Sequence, residues 1–91
     1  MEVERELDEL CELINAKPYS RDCLVLKSAM YSAGSTLRPT DRRVFAQDLA
    51  ASLNRRGILS KERYDRFVTL STRILDEFAR TREERLAKFI E

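Results

Sequence analysis

The sequence predicts an all-α protein, a four-helix bundle whose last helix is longer than the others. Three observations favour this fold. Only two glycines and two prolines occur in 91 residues, so turns are few and a multi-turn β-sandwich is excluded. Apolar residues recur at three- and four-residue spacing, which is typical of amphipathic helices. Residues typical of helix ends divide the chain into four segments, and a chain of this length forms a single domain, residues 1–91.

The first predicted helix covers residues 2–16. Its apolar side chains fall on one stripe. Pro18 is expected to end the helix, because the residue before a proline avoids the α region. The stripe consists of Val3, Leu7, Leu10 and Ile14.

The second predicted helix covers residues 21–33. Ser20 is the expected N-cap, and Tyr19 and Leu24 have the spacing of a hydrophobic staple around it. Gly34 is the expected C′ residue. Apolar side chains cover much of the circumference, so this helix is predicted to be the most buried of the four.

The third predicted helix covers residues 41–56 and follows the loop 34–40. Thr40 is its expected N-cap. Gly57 is expected to end it, because glycine adopts the left-handed conformation that commonly follows a helix.

The fourth predicted helix covers residues 61–90, after the expected cap Ser60. Thirty helical residues span about 45 Å, whereas a compact domain of this size is only about 25–30 Å across. We therefore expect the last two turns to overhang the bundle, to meet a partner, or to fold back at a kink.

The net charge of +1 conceals three segments of different charge. Residues 1–16 carry a net charge of −5, residues 17–63 carry +6, and residues 64–91 are neutral. The interpretation that we favour is that the acidic first helix docks on the basic middle or on the arginine-rich last helix of the same monomer. The alternative is that the basic middle binds an anionic partner such as nucleic acid or an acidic protein surface.

Two groups of arginines are the candidate anion- or partner-binding residues. Arg38, Arg42 and Arg43 surround the start of the third helix, where the helix dipole disfavours cations. Either carboxylates of the first helix or a bound anion should balance the positive charges of these arginines. Arg55 and Arg56 lie at the end of the same helix, where the dipole already favours a positive charge.

A second candidate surface lies at the C-terminal end of the fourth helix. The apolar residues Leu86, Phe89 and Ile90 follow the polar stretch 80–85 and are separated from the main apolar stripe. Exposed apolar groups of this kind mark contact sites. These three residues either cover the open end of the bundle or form one half of a two-fold dimer contact. We favour self-association, because the predicted helix is longer than the monomer.

The composition removes most enzyme classes. The chain has no histidine, which excludes a Ser-His-Asp triad, a Cys-His pair and imidazole zinc sites. Two glycines are too few for a dinucleotide-binding or Walker loop. We therefore predict no catalytic residue, no cofactor and no metal site.

The cysteines and the N-terminal residues indicate the cellular compartment of the protein. Cys11 and Cys23 are expected to be reduced thiols in the core rather than a structural disulfide. The acidic start of the chain lacks the apolar core of a signal peptide, and no apolar run is long enough to span a membrane. These features predict a cytoplasmic protein without membrane attachment.

The function predicted from these features is a small, non-enzymatic interaction or regulatory module: an adaptor, an inhibitor or a small subunit. It would bind a protein partner, or a second copy of itself, through helix faces. The alternative is a nucleic-acid-binding regulator that places the arginines on phosphates. The turn around Gly57 is only a weak match to a DNA-binding helix-turn-helix.

Overall fold

A computed structural model describes the backbone of residues 2–90 and the side chains of residues 3–88. Its elements are α1 (Glu2–Leu13), α2 (Arg21–Thr36), α3 (Pro39–Arg55) and α4 (Lys61–Ile90). Every regular element within residues 2–90 is a helix, which confirms the all-α bundle with a long fourth helix.

The long helix α4 is the centre of the bundle, and the other three helices pack against it. α1 and α3 run antiparallel to α4, and α2 runs parallel to it. α2 and α3 lie along different sides of α4 and make few contacts with each other. The described structure measures 48 × 28 × 18 Å, so the long dimension follows α4.

The core forms around the inward face of α4. Phe67, Leu70, Ile74 and Leu75 are completely buried there. Full burial of such side chains contributes roughly 1.5–3 kcal/mol each, so this face is the main source of stability. The other helices contribute Val3, Leu7, Leu10, Cys11, Cys23, Leu26, Met30, Ala33, Ala46, Ala50 and Leu53, and the α3–α4 turn contributes Leu59.

α1 ends at Leu13, three residues earlier than predicted, and Pro18 is not the cause. Asn15 adopts the left-handed conformation, with a φ of 57°. The Ala16 N–H donates to the Cys11 carbonyl at 3.0 Å, which is the long hydrogen bond of a Schellman motif. The chain thus leaves the helix before it reaches the proline, with asparagine where glycine is usual.

The start of α2 agrees with the prediction in one respect and not in another. Ser20 is the N-cap, and its hydroxyl accepts a hydrogen bond from the Cys23 N–H at 3.2 Å. The predicted staple is wrong, because Tyr19 is 90% exposed and Leu24 is also exposed. Tyr19 has a φ of 64°, a strained conformation for a bulky residue.

α2 continues to Thr36, three residues further than predicted, and Gly34 lies inside it. The role predicted for Gly34 as a C′ residue is therefore wrong. A Cβ at this position would lie 2.7 Å from the Cβ of Phe78 and 3.0 Å from the Leu75 carbonyl oxygen. Gly34 is needed because α2 and α4 approach each other too closely there for any larger residue.

α2 is also less buried than predicted. Leu24, Val25 and Tyr31 are each more than half exposed. The most buried apolar face belongs to α4, because three helices pack around it. α2 packs mainly against α4, so one side of its wide apolar surface is left uncovered.

α3 begins two residues earlier than predicted, at Pro39. Proline suits the first helical position because its fixed φ matches the helix and its missing N–H is not needed there. Arg38 occupies the N-cap position without a side-chain hydrogen bond to the helix. Thr40 therefore lies inside the helix, and its predicted role as N-cap is wrong.

α3 ends at Arg55, and Gly57 follows it with a φ of 74°. The Ile58 N–H donates to the Leu53 carbonyl at 2.9 Å, which completes a Schellman motif. The prediction that Gly57 ends this helix agrees with these contacts. α4 then begins at Lys61, as predicted.

Candidate interaction surface

The acidic helix α1 is partly paired with basic side chains of the same monomer. Three of its carboxylates form ion pairs with basic side chains of α2 and α4. The arginine-rich face of α4 accounts for two of these pairs, whereas Arg42 and Arg43 on α3 account for none. The pairs are Asp8 with Lys27 at 2.8 Å, Glu9 with Arg66 at 2.6 Å, and Glu6 with Arg73 at 3.4 Å.

Arg42 has a structural role between α3 and α4. Its side chain is only 11% exposed, and its Nη1 lies 3.0 Å from an Asp76 carboxylate oxygen. Its Nε donates to the Leu37 carbonyl at 3.3 Å. The unfavourable position of Arg42 near the start of α3 is therefore compensated by α4 and by the α2–α3 connection, not by α1.

Arg38 and Arg43 are exposed near the same end of α3. The Arg38 Nε lies 3.0 Å from an Asp41 carboxylate oxygen, and the Arg38 side chain is 84% exposed. Arg43 borders a shallow groove of about 370 Å³ with Gln47 and Tyr64. The structure thus separates Arg42 from the other two arginines instead of joining the three in one anion site.

Arg55 and Arg56 lie at the opposite end of α3, and both are exposed. Twelve residues separate Arg43 from Arg55, which is about 18 Å along a helix. The five candidate arginines therefore form two distant groups. One of the five, Arg42, is nearly buried and pairs with Asp76.

A groove between α2 and α3 is a surface that the sequence did not predict. It has a volume of about 510 Å³, and Asp22 and Arg56 are its charged residues. It exists because α2 and α3 pack on α4 without meeting. In the sequence, the only feature that indicates this groove is the wide apolar surface of α2. The apolar lining consists of Ile14, Val25, Leu26, Ala29, Leu49, Leu53 and Ile58.

The C-terminal part of α4 extends beyond the other helices. We call residues 82–88 the overhang, because every one of these residues is exposed. Ala79 is the last buried residue of α4. Of the three outcomes expected for the last turns, the described part of α4 shows the overhang and does not fold back.

Leu86 is the apolar residue of the overhang that the sequence singled out, and it is 47% exposed. It follows Leu75 by about three helical turns and Ala79 by about two, so it continues the buried face of α4 into the overhang. The predicted contact residues Phe89 and Ile90 have side chains outside the described residues.

Charged side chains join the overhang to the packed part of α4. Arg80 pairs with Glu77 in the preceding turn and with Glu84 in the following one. The Arg80 guanidinium lowers the pKa of the Glu77 carboxyl by hydrogen bonding, and Glu77 in turn raises the pKa of Arg80. These pairs support the helix where few tertiary contacts do.

The described side chains offer no group of three or more potential metal ligands. Within the same part of the chain, no helix combines the length and apolar character needed to cross a membrane. Searches with family models, among curated proteins and among solved structures found no match to this chain.

Proposed function

We propose that this protein is a small, non-enzymatic interaction module that self-associates through the end of α4 and acts as a regulatory or adaptor subunit. The observation that carries this proposal is the overhang. The face of α4 that is buried as far as Ala79 passes the exposed Arg82 in the overhang and then carries the exposed apolar residue Leu86.

A second copy of the chain is the partner that best suits this surface. A two-fold contact places the same face of both helices together, so Leu86 of one copy faces an apolar surface of the other. The overhang carries charges of both signs on and beside that face, including Arg82, Glu83, Glu84 and Arg85. Such charges can pair across an antiparallel contact, which fixes its orientation.

The absence of histidine and of glycine-rich loops from the sequence supports a non-enzymatic role. Cys11 and Cys23 are free thiols in the structure, and this supports a cytoplasmic location because free thiols suit a reducing compartment.

Sedimentation over a range of protein concentrations tests this proposal. We expect wild type to form a concentration-dependent dimer and Leu86→Ser to remain monomeric. Val44→Ser is the matched control, since Val44 is a similarly exposed apolar residue, 53%, but lies on α3. A monomeric wild type, or a Leu86→Ser variant that dimerises like wild type, contradicts the proposal.

Nucleic-acid binding is the second candidate function. Its support is that Arg38, Arg43, Arg55 and Arg56 are all exposed. Binding through phosphates should weaken steeply as salt increases. A titration with duplex DNA and with single-stranded RNA over a salt series tests it, and no binding at low salt excludes it.

A further inference from the structure

The two cysteines of the chain meet in the core between α1 and α2. Their sulfur atoms are 3.0 Å apart, although twelve residues separate them in the sequence. Cys11 is 3% exposed and Cys23 is 1% exposed. Both are free thiols, and the Cys11 thiol also lies 3.8 Å from the Cys23 carbonyl oxygen.

The ends of both helices hold this pair in place. Cys11 lies in the Schellman motif of α1, where its carbonyl accepts the Ala16 N–H at 3.0 Å. Cys23 lies in the first turn of α2, where its N–H donates to the Ser20 hydroxyl at 3.2 Å. The pairing of the sulfurs therefore depends on well-defined backbone geometry rather than on a flexible loop.

The segment that joins the two helices is strained, which indicates that the close approach of the helix ends is maintained at some cost. Asn15 and Tyr19 have φ angles of 57° and 64°. Left-handed conformations of residues other than glycine persist only where surrounding structure determines them. Here the surrounding structure is the junction of α1 and α2 that contains the thiols.

A cleft between α1 and α2 gives small molecules a route towards the sulfurs. It has a volume of about 560 Å³, both cysteines line it, and Asp8, Tyr19 and Lys27 also border it. Burial raises the pKa of the Cys11 thiol from 9.0 to about 12, and the neighbouring Cys23 thiol adds to the effect. Because the thiolate is the reactive form, the raised pKa makes oxidation of the pair slow near neutral pH and faster as the pH rises.

We propose that Cys11 and Cys23 form a reversible redox pair, in which a small peroxide converts the two thiols to a disulfide that joins α1 to α2. One thiolate attacks the peroxide, the O–O bond breaks, and a sulfenic acid forms with release of water after protonation. The second thiol then displaces the sulfenic oxygen as another water molecule. The two cysteines lose two protons and two electrons in total, which reduce the peroxide to water, and a dithiol reductant restores the thiols.

The disulfide should fasten α1 to the bundle. The polar contacts of α1 with α2 and α4 are exposed. They are three surface ion pairs, which contribute little stability, and hydrogen bonds from the Arg63 guanidinium to the Glu12 and Leu13 carbonyls at 3.3 Å. A covalent bond near the end of α1 restricts the unfolded chain as well, so it should stabilise the whole domain. The oxidised and reduced forms should therefore differ in how readily α1 detaches.

Treatment of the full chain with hydrogen peroxide tests this proposal. We expect the intact mass to fall by two hydrogen atoms, both thiols to become inert to alkylation, and the chain to remain free of intermolecular disulfides. The melting temperature should rise by about 10 °C and return after treatment with dithiothreitol. Amide hydrogen exchange in α1 should slow in the oxidised form.

Cys11→Ala and Cys23→Ala are the matched controls, and neither should gain stability on oxidation. If either variant fails to fold, the exchange of α1 amides in oxidised and reduced wild type still decides the question. Thiols that stay open to alkylation, oxidation only to sulfinic acids, chains joined by intermolecular disulfides, or an unchanged melting temperature and α1 exchange rate would overturn the proposal.

Discussion

The two parts of α4 carry the same helical pattern in opposite surroundings. In residues 61–81, which we call the packed segment, the inward face contacts α1, α2 and α3, and Leu75 is completely buried. In the overhang, Leu86 lies on the continuation of that face and is 47% exposed. The comparison teaches that an apolar residue on the inward face of a helix stabilises the monomer only where another helix packs against it.

The largest expected change in the free energy of unfolding comes from truncating a leucine in the packed segment, compared with a leucine in the overhang. Leu75→Ala leaves a cavity in the core and should lower the free energy of unfolding by about 2–5 kcal/mol. Leu86→Ala should change it by no more than about 0.5 kcal/mol in the monomer. Urea denaturation at low protein concentration measures both variants, and similar losses would show that the overhang is part of the folded core.

The next largest change in stability is expected for Gly34→Ala, which tests how closely α2 approaches the packed segment. Gly34→Ala improves helix propensity by about 1 kcal/mol, but its Cβ would meet Phe78 and the Leu75 carbonyl. Overpacking of this kind costs about 1–3 kcal/mol, so we expect a net loss of up to about 2 kcal/mol. Thermal denaturation measures it, and a more stable variant would show that α2 moves away from α4 easily.

A smaller loss of stability distinguishes Arg42 of α3, which contacts the packed segment, from an arginine of the overhang. Arg42→Ala removes the nearly buried partner of Asp76 and the donor to the Leu37 carbonyl. It should lower the free energy of unfolding by about 1 kcal/mol. Arg85→Ala, an exposed arginine of the overhang, should change it by less than about 0.5 kcal/mol. Equal losses in urea denaturation would contradict the structural role of Arg42.

The effect that is smallest near neutral pH is a difference in the pH dependence of stability. The Cys11 thiol in the core has a pKa raised from 9.0 to about 12, so the unfolded chain loses its proton first. This lowers stability as the pH rises through that range. The pKa of Glu77, at the base of the overhang, is lowered by Arg80, so its contribution is lost as the pH falls below the ordinary glutamate range.

Two variants separate these contributions in denaturation measured across pH. Cys11→Ala should reduce the loss of unfolding free energy at alkaline pH. Glu77→Gln should reduce only the loss at acidic pH. An alkaline decrease of the same size in Cys11→Ala and wild type would show that the decrease has another source.

The fold was predictable because its signals are local. Glycine and the N-cap serine mark helix ends through nearby backbone hydrogen bonds, and Gly57 and Ser20 behave as expected. Gly34 was misinterpreted because its role depends on α4, which lies some forty residues further along the chain. Helix-end rules contain no information about which helices touch.

The candidate surface was predictable only in part, for the same reason. The length of α4 predicted that its last turns would overhang, meet a partner or fold back, and the structure shows that residues 82–88 overhang. The partner of Arg42 depends on how α3 packs against α4, and that order of packing has no local signal. The thiol pair and the groove between α2 and α3 likewise arise only when separate helices meet or fail to meet.

Hydrogen exchange along α4 at several protein concentrations tests the central claim most directly. We predict that amides of the packed segment exchange slowly at every concentration. Amides of residues 82–88 should exchange quickly in dilute wild type and become protected as concentration rises, but not in Leu86→Ser. Fast exchange in the overhang at all concentrations, or equal protection in wild type and Leu86→Ser, would contradict the claim that this surface is where the protein associates.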